Sequence, residues 1–159
     1  MPGEIEERLA ANSIQLPIPA SPVANYRPFI ISSNSVYVSG QLPMVDGNVK
    51  YPGRVGETVT VEDGTAAARL CGFNLIAQVK AACGGDLDRV RRCVRLGGFV
   101  NSVPDFLAHP AVVDGASNLM VEVFGEKGAH ARFAVGVNSL PYSASVEVDG
   151  IFEIDPPPA

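Results

Sequence analysis

The segment Ala131-Arg132-Phe133-Ala134-Val135-Gly136-Val137 carries a single charge in an otherwise apolar run. Read as a strand, it sets Phe133, Val135 and Val137 on one face and Arg132, Ala134 and Gly136 on the other. Small neighbours on the arginine's own face leave a hollow beside a planar, permanently charged fork. Such a fork can hold a carboxylate or phosphate through two parallel hydrogen bonds. The same pattern also describes a strand arginine that reaches solvent or pairs with an acid. Glu147, in Ser145-Val146-Glu147-Val148, offers a general acid/base or a group that positions water. It reads equally well as a solvated carboxylate or an ion-pair partner. Its strand is expected to neighbour that of Arg132, but alternation alone does not show whether the two face each other.

Other polar clusters carry less. Arg89, Arg91, Arg92 and Arg95 form a basic patch without interleaved aromatics, which reads as a solvated or interfacial face rather than a nucleic-acid footprint. Ser39-Gly40-Gln41 is a bend after a strand, with no surrounding GxSxG or phosphate-loop pattern. Three cysteines (Cys71, Cys83, Cys93) and two histidines (His109, His130) make neither a disulfide framework nor a metal-ligand spacing. The cysteines read as buried small hydrophobes in a reducing cytosol. No metal and no cofactor is expected.

These groups need a scaffold, and the composition supplies one. The 159 residues are 47% hydrophobic and 18% charged, enough apolar area for one packed domain. Twelve basic against seventeen acidic residues give a net charge of −5, which disfavours sequence-independent nucleic-acid binding. No apolar run is long enough to span a membrane, and the acidic start lacks the apolar core of a secretory signal, so a cytoplasmic protein is expected. The charged fraction is below the roughly one quarter usual in soluble domains. That shortage points to surface covered by another copy of the chain.

The spacing predicts a short helix over 4–12, an extended proline-rich stretch over 15–28, and a hairpin of Phe29-Ile30-Ile31 with Val36-Tyr37-Val38. Asp46-Gly47 marks a further tight turn. Thr60 and Asp63 resemble a capping box opening a long helix that ends at Gly84-Gly85, with Ala66, Leu70, Phe73, Ala77 and Ala81 as its apolar stripe. Residues 89–100 read as a strand with Val90, Val94, Leu96 and Val100 on one face. Pro110 and Gly115 are expected to confine the next regular helix to about 116–124. Strands over about 131–138 and 144–153 are expected to form a hairpin. The order ββ(β)αβαββ implies an α/β (α+β) architecture with a mixed sheet of about six strands and two helices on one face. The proline-rich end is expected to be a flexible tail over 154–159.

Several of these fragments, in their order and spacing, resemble the reactive-intermediate deaminase (Rid/YjgF) family over about 23–153. Val36-Tyr37-Val38-Ser39-Gly40-Gln41-Leu42-Pro43 is close to its "vyvSGQiP" motif. Phe99-Val100-Asn101-Ser102-Val103-Pro104-Asp105-Phe106 matches its strand-to-helix turn. Ala131-Arg132, Leu140-Pro141 and Val146-Glu147-Val148 follow its "pAR…LP…vEi" pattern. Tyr26 stands where the family has an N-terminal tyrosine. The resemblance implies one domain over 1–159, with an N-terminal extension over 1–22, and a chorismate-mutase-like fold. It further implies a homotrimer with clefts between subunits, acting on a small carboxylate-bearing substrate with no nucleic-acid or membrane partner.

The activity implied is hydrolysis of enamine/imine intermediates of the 2-aminoacrylate type to a 2-keto acid and ammonia. By the same resemblance Arg132 clamps the substrate carboxylate, Glu147 positions or activates water, and Tyr26, Ser39 and Gly40 line the cleft. The chain departs from the family in two places. Ala134 stands where a cysteine is frequent, and an asparagine of the second helix falls at Ser117, with Asn118 one position away. Those departures keep open a non-catalytic trimer that binds 2-keto acids, while the acidic charge disfavours an endoribonuclease.

Overall fold

A computed structural model describes residues 1–19, 21 and 24–157. Local signals account for its first elements. Strands β1 (Phe29–Ser32) and β2 (Ser35–Gln41) pair antiparallel from Ser32↔Ser35 back to Phe29↔Val38, and the turn takes Ser33 to φ 54°. β3 (Met44–Val45) and β4 (Asn48–Val49) form a separate two-stranded ribbon. Its turn places Asp46 and Gly47 at positive φ, the conformation an Asp-Gly hairpin favours. Helix α2 (Val61–Ala82) begins where Thr60 Oγ1 accepts from the Asp63 N–H at 3.1 Å. It ends before Gly84 and Gly85, both at positive φ.

Strand β5 (Val90–Asn101) leads through helix α3 (His109–Phe124) to strand β6 (Ala131–Val137), and β7 (Val146–Ile154) ends the core. The main sheet has the order β1-β2-β7-β5-β6, with β5 and β6 parallel and the other pairs antiparallel. Among the described residues the strands thus number seven, five in one mixed sheet and two apart from it. Val36, Val38, Leu96, Val100, Val146, Val148 and Phe152 turn to one face, where they pack with α2 and α3 in a single core. A third helix, α1 (Glu4–Ala11), adds Ile5 and Leu9 to that core. Both of its first free N–H groups are taken by one distant carboxylate: Glu4 N donates to Asp88 Oδ2 at 2.9 Å and Ile5 N to Asp88 Oδ1 at 2.8 Å. No helix among the described residues is long and apolar enough to cross a membrane.

Four expectations change. β6 and β7 are not a hairpin, because β5 lies between them and bonds to both. Helix α3 runs unbroken from His109. Pro110 sits in its first turn, where a missing N–H costs nothing, and Gly115 lets its backbone touch that of Thr65 in α2. In β5 the buried residue is Cys93 and Val94 is exposed, since register shifts on either side of Cys93 re-aim the strand. The buried face of α2 is rotated from the expected stripe. Gly64, Ala68, Cys71, Leu75 and Val79 are inside and Ala81 is exposed, because the helix is wedged between the sheet and α3. At the C-terminal end, residues 158–159 lie outside the described residues. Asp155 is tied down, its N–H donating to Arg89 O at 2.8 Å and its side chain pairing with Arg91 at 2.8 Å.

The opposite face of the sheet is open. Ile30, Tyr37 and Val135 are exposed on it, beside the edge-to-face pair Phe99 and Phe133, whose centroids are 5.3 Å apart.

Candidate functional site

The β2–β7 ladder slips between Val38↔Gly150 and Gln41↔Val148, so Ser39 and Gly40 together oppose one residue of β7. This bulge bends β2 against Glu147, and the glutamate's Oε1 fills the space that a Cβ on Gly40 would occupy. Only glycine permits that approach. Glu147 alternates with buried Val146 and Val148 and pairs with Phe99, so it projects from the open face. Its carboxyl is pushed above the ordinary range, first by burial and then by the charge of Asp149 two residues along. A carboxyl that keeps its proton more readily is better matched to acid/base work near neutrality.

Gly40 also lines a cleft of about 540 Å³, together with Tyr26, Gln41, Met44, Gln78 and Tyr142. Ser39 does not present a free hydroxyl to it. Its Oγ–H donates to Arg27 O at 2.7 Å and its N–H to Pro28 O at 2.9 Å, which fixes the segment carrying Tyr26. The opposite wall is tied to α2, where Asn74 Nδ2 donates to Leu42 O at 2.9 Å and to Met44 O at 3.2 Å. Tyr142 and Ser143 hold left-handed φ values of 57° and 56°, uncommon for residues with side chains. Sequence reading does not single out Tyr142 or Gln78; the Leu-Pro turn before Tyr142 is the available signal for the first, and Gln78 on α2 has none.

Arg132 lies elsewhere. It pairs with Leu96 in the β5–β6 register and turns to the helix side. Nη1 donates to Asp114 Oδ1 at 2.8 Å and to Ser117 Oγ at 3.0 Å, and Nη2 to Pro110 O at 3.4 Å. Ser117 Oγ in turn lies 2.9 Å from His130 Nε2, while His130 Nδ1 lies 2.6 Å from Gly128 O. Since a carbonyl only accepts, His130 Nδ1 carries a proton toward Gly128 O, leaving Nε2 to the hydrogen bond with Ser117 Oγ. Asn118 is exposed one position round the helix. Ala134 packs against the core.

The acid-pair alternative for Arg132 is therefore realised, with Asp114 as the acid. Asp114 and Ser117 are three apart on α3, a spacing legible only when the helix is continuous through Gly115. Within one chain Arg132 and Glu147 do not share a site. β5 separates their strands and they project from opposite faces.

The cysteines offer no nucleophile. Cys71, Cys83 and Cys93 are free and buried. Burial and the nearby Glu147 charge push the Cys71 thiol well up, and burial takes Cys93 to about 12.

Residues 6–152 match the family model described as "YjgF/chorismate_mutase-like, putative endoribonuclease". Protein TCP17 of Trypanosoma cruzi is 46% identical over 154 residues, which cover 96% of each chain. A 2-iminobutanoate/2-iminopropanoate deaminase of Dermatophagoides farinae is 31% identical over 144 residues, 89% of this chain and 95% of the relative. The solved structure of Agrobacterium tumefaciens Atu1372, a protein of unknown function, is 53% identical with a TM-score of 0.89, covering 95% of this chain and 92% of that one.

Proposed function

Since the chain belongs to the YjgF/chorismate mutase-like family, we propose that it hydrolyses small 2-imino acids to 2-keto acids and ammonia. The observation that carries this reading is the Glu147 carboxyl, its proton affinity raised by burial, lodged against Gly40, which itself lines the cleft. The named activity of the mite relative supports it. The wide separation of Arg132 from Glu147 favours a site completed between copies, one supplying Glu147, Gly40 and Tyr26 and the next supplying Arg132. The exposed apolar face with Ile30, Tyr37 and Val135 suits the homotrimer this requires.

The chemistry then runs as follows. Protonated Glu147 donates to the imine nitrogen, making C2 a stronger electrophile. Water adds to C2 and its proton passes to the Glu147 carboxylate. The carbinolamine expels its nitrogen, protonated by Glu147, as ammonia, and the hydroxyl proton passes to the Glu147 carboxylate as the keto group forms, which restores the acid. Arg132 holds the substrate carboxylate in competition with Asp114. Orientation plus one proton-transfer group suffices for a reaction whose carbon is already electrophilic.

The test couples the protein to a serine or threonine dehydratase and follows imine decay with a trapping agent. Wild type is expected to accelerate decay, and Arg132→Ala to return it to the rate without protein. A wild type no faster than that background refutes the reading. Because Asp114 already occupies the fork of Arg132, a second reading is a trimer that binds 2-keto acids without turnover. A melting shift with 2-ketobutyrate and no imine decay selects it.

A further inference from the structure

We propose a second ligand site, lined by none of the residues assigned to the one above, that binds a small molecule bearing a carboxylate or phosphate on an apolar body. It lies where the parallel strands β5 and β6 end and α3 begins. There a cleft of about 600 Å³ is lined by Arg54, Ser102, Phe106, His109, Gly136 and Asn138, with Val103, Pro104 and Val137 completing it. That volume is within the range of about 300–1,000 Å³ usual for small-molecule sites. Crevices at the carboxyl ends of parallel strands are where α/β units commonly take ligands.

The polar groups converge and are preset. Arg54 Nη2 donates to Asn138 O at 2.6 Å and Nε to Asn101 Oδ1 at 3.5 Å, which fixes the guanidinium through neutral partners only. Nη1 has no hydrogen bond among the described residues, and no acidic side chain lines the cleft. Arg54 therefore differs from Arg132, whose charge Asp114 already meets. Ser102, 7% exposed, has its Oγ 3.2 Å from His109 Nε2. The Phe106 ring stands edge-on to the His109 ring, 5.1 Å between centroids, and holds it in place.

Gly136 keeps the strand clear of this pair, for a Cβ there would lie 2.7 Å from His109 Nε2 and 3.0 Å from Ser102 Oγ. No carboxylate orients His109 among the described residues, so the pair serves as hydrogen-bonding groups and not as an activated nucleophile. A fixed, acid-free cation beside a hydroxyl and an imidazole selects an oxyanion. Phe106, Val103 and Val137 select an apolar body.

The chain has two histidines, one at each location: His109 in this cleft and His130 linked to Arg132 through Ser117. Wild-type protein is titrated with inorganic phosphate and, separately, with isobutyrate, while the imidazole C–H resonances are followed by NMR. Saturable movement of His109 is expected, whether or not His130, which reports on Arg132, moves as well, and which anion produces it assigns the head group. Arg54→Gln should weaken that response about tenfold or more. Ser102→Ala, which leaves the Arg54 bonds in place, should weaken it several-fold. The proposal is overturned if His109 is unmoved by both anions, if only His130 moves, or if both variants respond like wild type.

Discussion

The carboxylate of Glu147 occupies the space that a side chain on Gly40 would need. The bulge at Ser39-Gly40 and the absence of a Cβ together set where that acid sits, just past the point where the β2–β7 ladder slips between Val38↔Gly150 and Gln41↔Val148. Gly40→Ala should therefore displace Glu147 while sparing the fold. A misplacement near 1 Å can cost about 10²-fold in rate, and a loss of that order in imine hydrolysis with an unchanged melting temperature is expected. Unchanged turnover would separate Gly40 from the chemistry.

Glu147→Gln removes the acid/base group and should cost about 10²–10⁴-fold in turnover. It also has a stability signature. Because burial raises the Glu147 proton affinity in the folded chain, its contribution is full below the unfolded value, near pH 4. That contribution is lost as pH rises through the higher folded value. The glutamine variant should thus be the more stable protein at neutral pH, by up to a few degrees, and the two should converge in acid. Solvent screening of the half-buried carboxylate trims the difference. Melting curves across pH check the sign.

Asp114→Asn should release Arg132 from its charged partner while leaving an acceptor for one N–H. If Arg132 binds substrate carboxylate, that variant should lower the KM for a 2-imino acid, or the Kd for 2-ketobutyrate, several-fold. Arg132→Ala should raise them at least tenfold. Calorimetry on both variants measures the contrast, and equal affinities would remove Arg132 from the site.

Gly115→Ala tests the helix pair. A Cβ at this position would collide with the Thr65 carbonyl oxygen and lie 3.1 Å from Arg69 N, both backbone atoms. Neither can rotate away, so α3 must shift. A loss of about 1–3 kcal/mol is expected, seen as several degrees in Tm. Gly47→Ala has open space but a φ of 77°, and should cost only the backbone penalty, about 1 kcal/mol.

What the sequence disclosed follows the range of the forces involved. The Ser33-Asn34 and Asp46-Gly47 turns, the Thr60 cap and the Gly84-Gly85 stop act within a few residues, and each is where its residue types place it. The position of β5 between β6 and β7 is a matter of non-local pairing, which no local pattern encodes. The burial of Cys93 in place of Val94 depends on register shifts against β7. The continuity of α3 was hidden because Gly115 looks like a breaker until α2 is packed against it.

The site divides in the same way. Arg132, Glu147, Gly40 and Tyr26 were legible by type and motif, but the opposite facing of the first two required the strand order. Asp114 was hidden with the helix it stands on. Arg54 and His109 are far apart in sequence and meet only because β5 and β6 end side by side.

Helix α1 carries a last implication, for the order of events at the ribosome. Its eight residues are too few to hold together alone, and the carboxylate that closes its first turn belongs to Asp88, 84 positions after Glu4. At about 5–20 residues per second, roughly 4–17 seconds of translation separate them. This segment, synthesised before its partner, must therefore wait for the middle of the chain. Its docking reports that the start of β5 has already found its place.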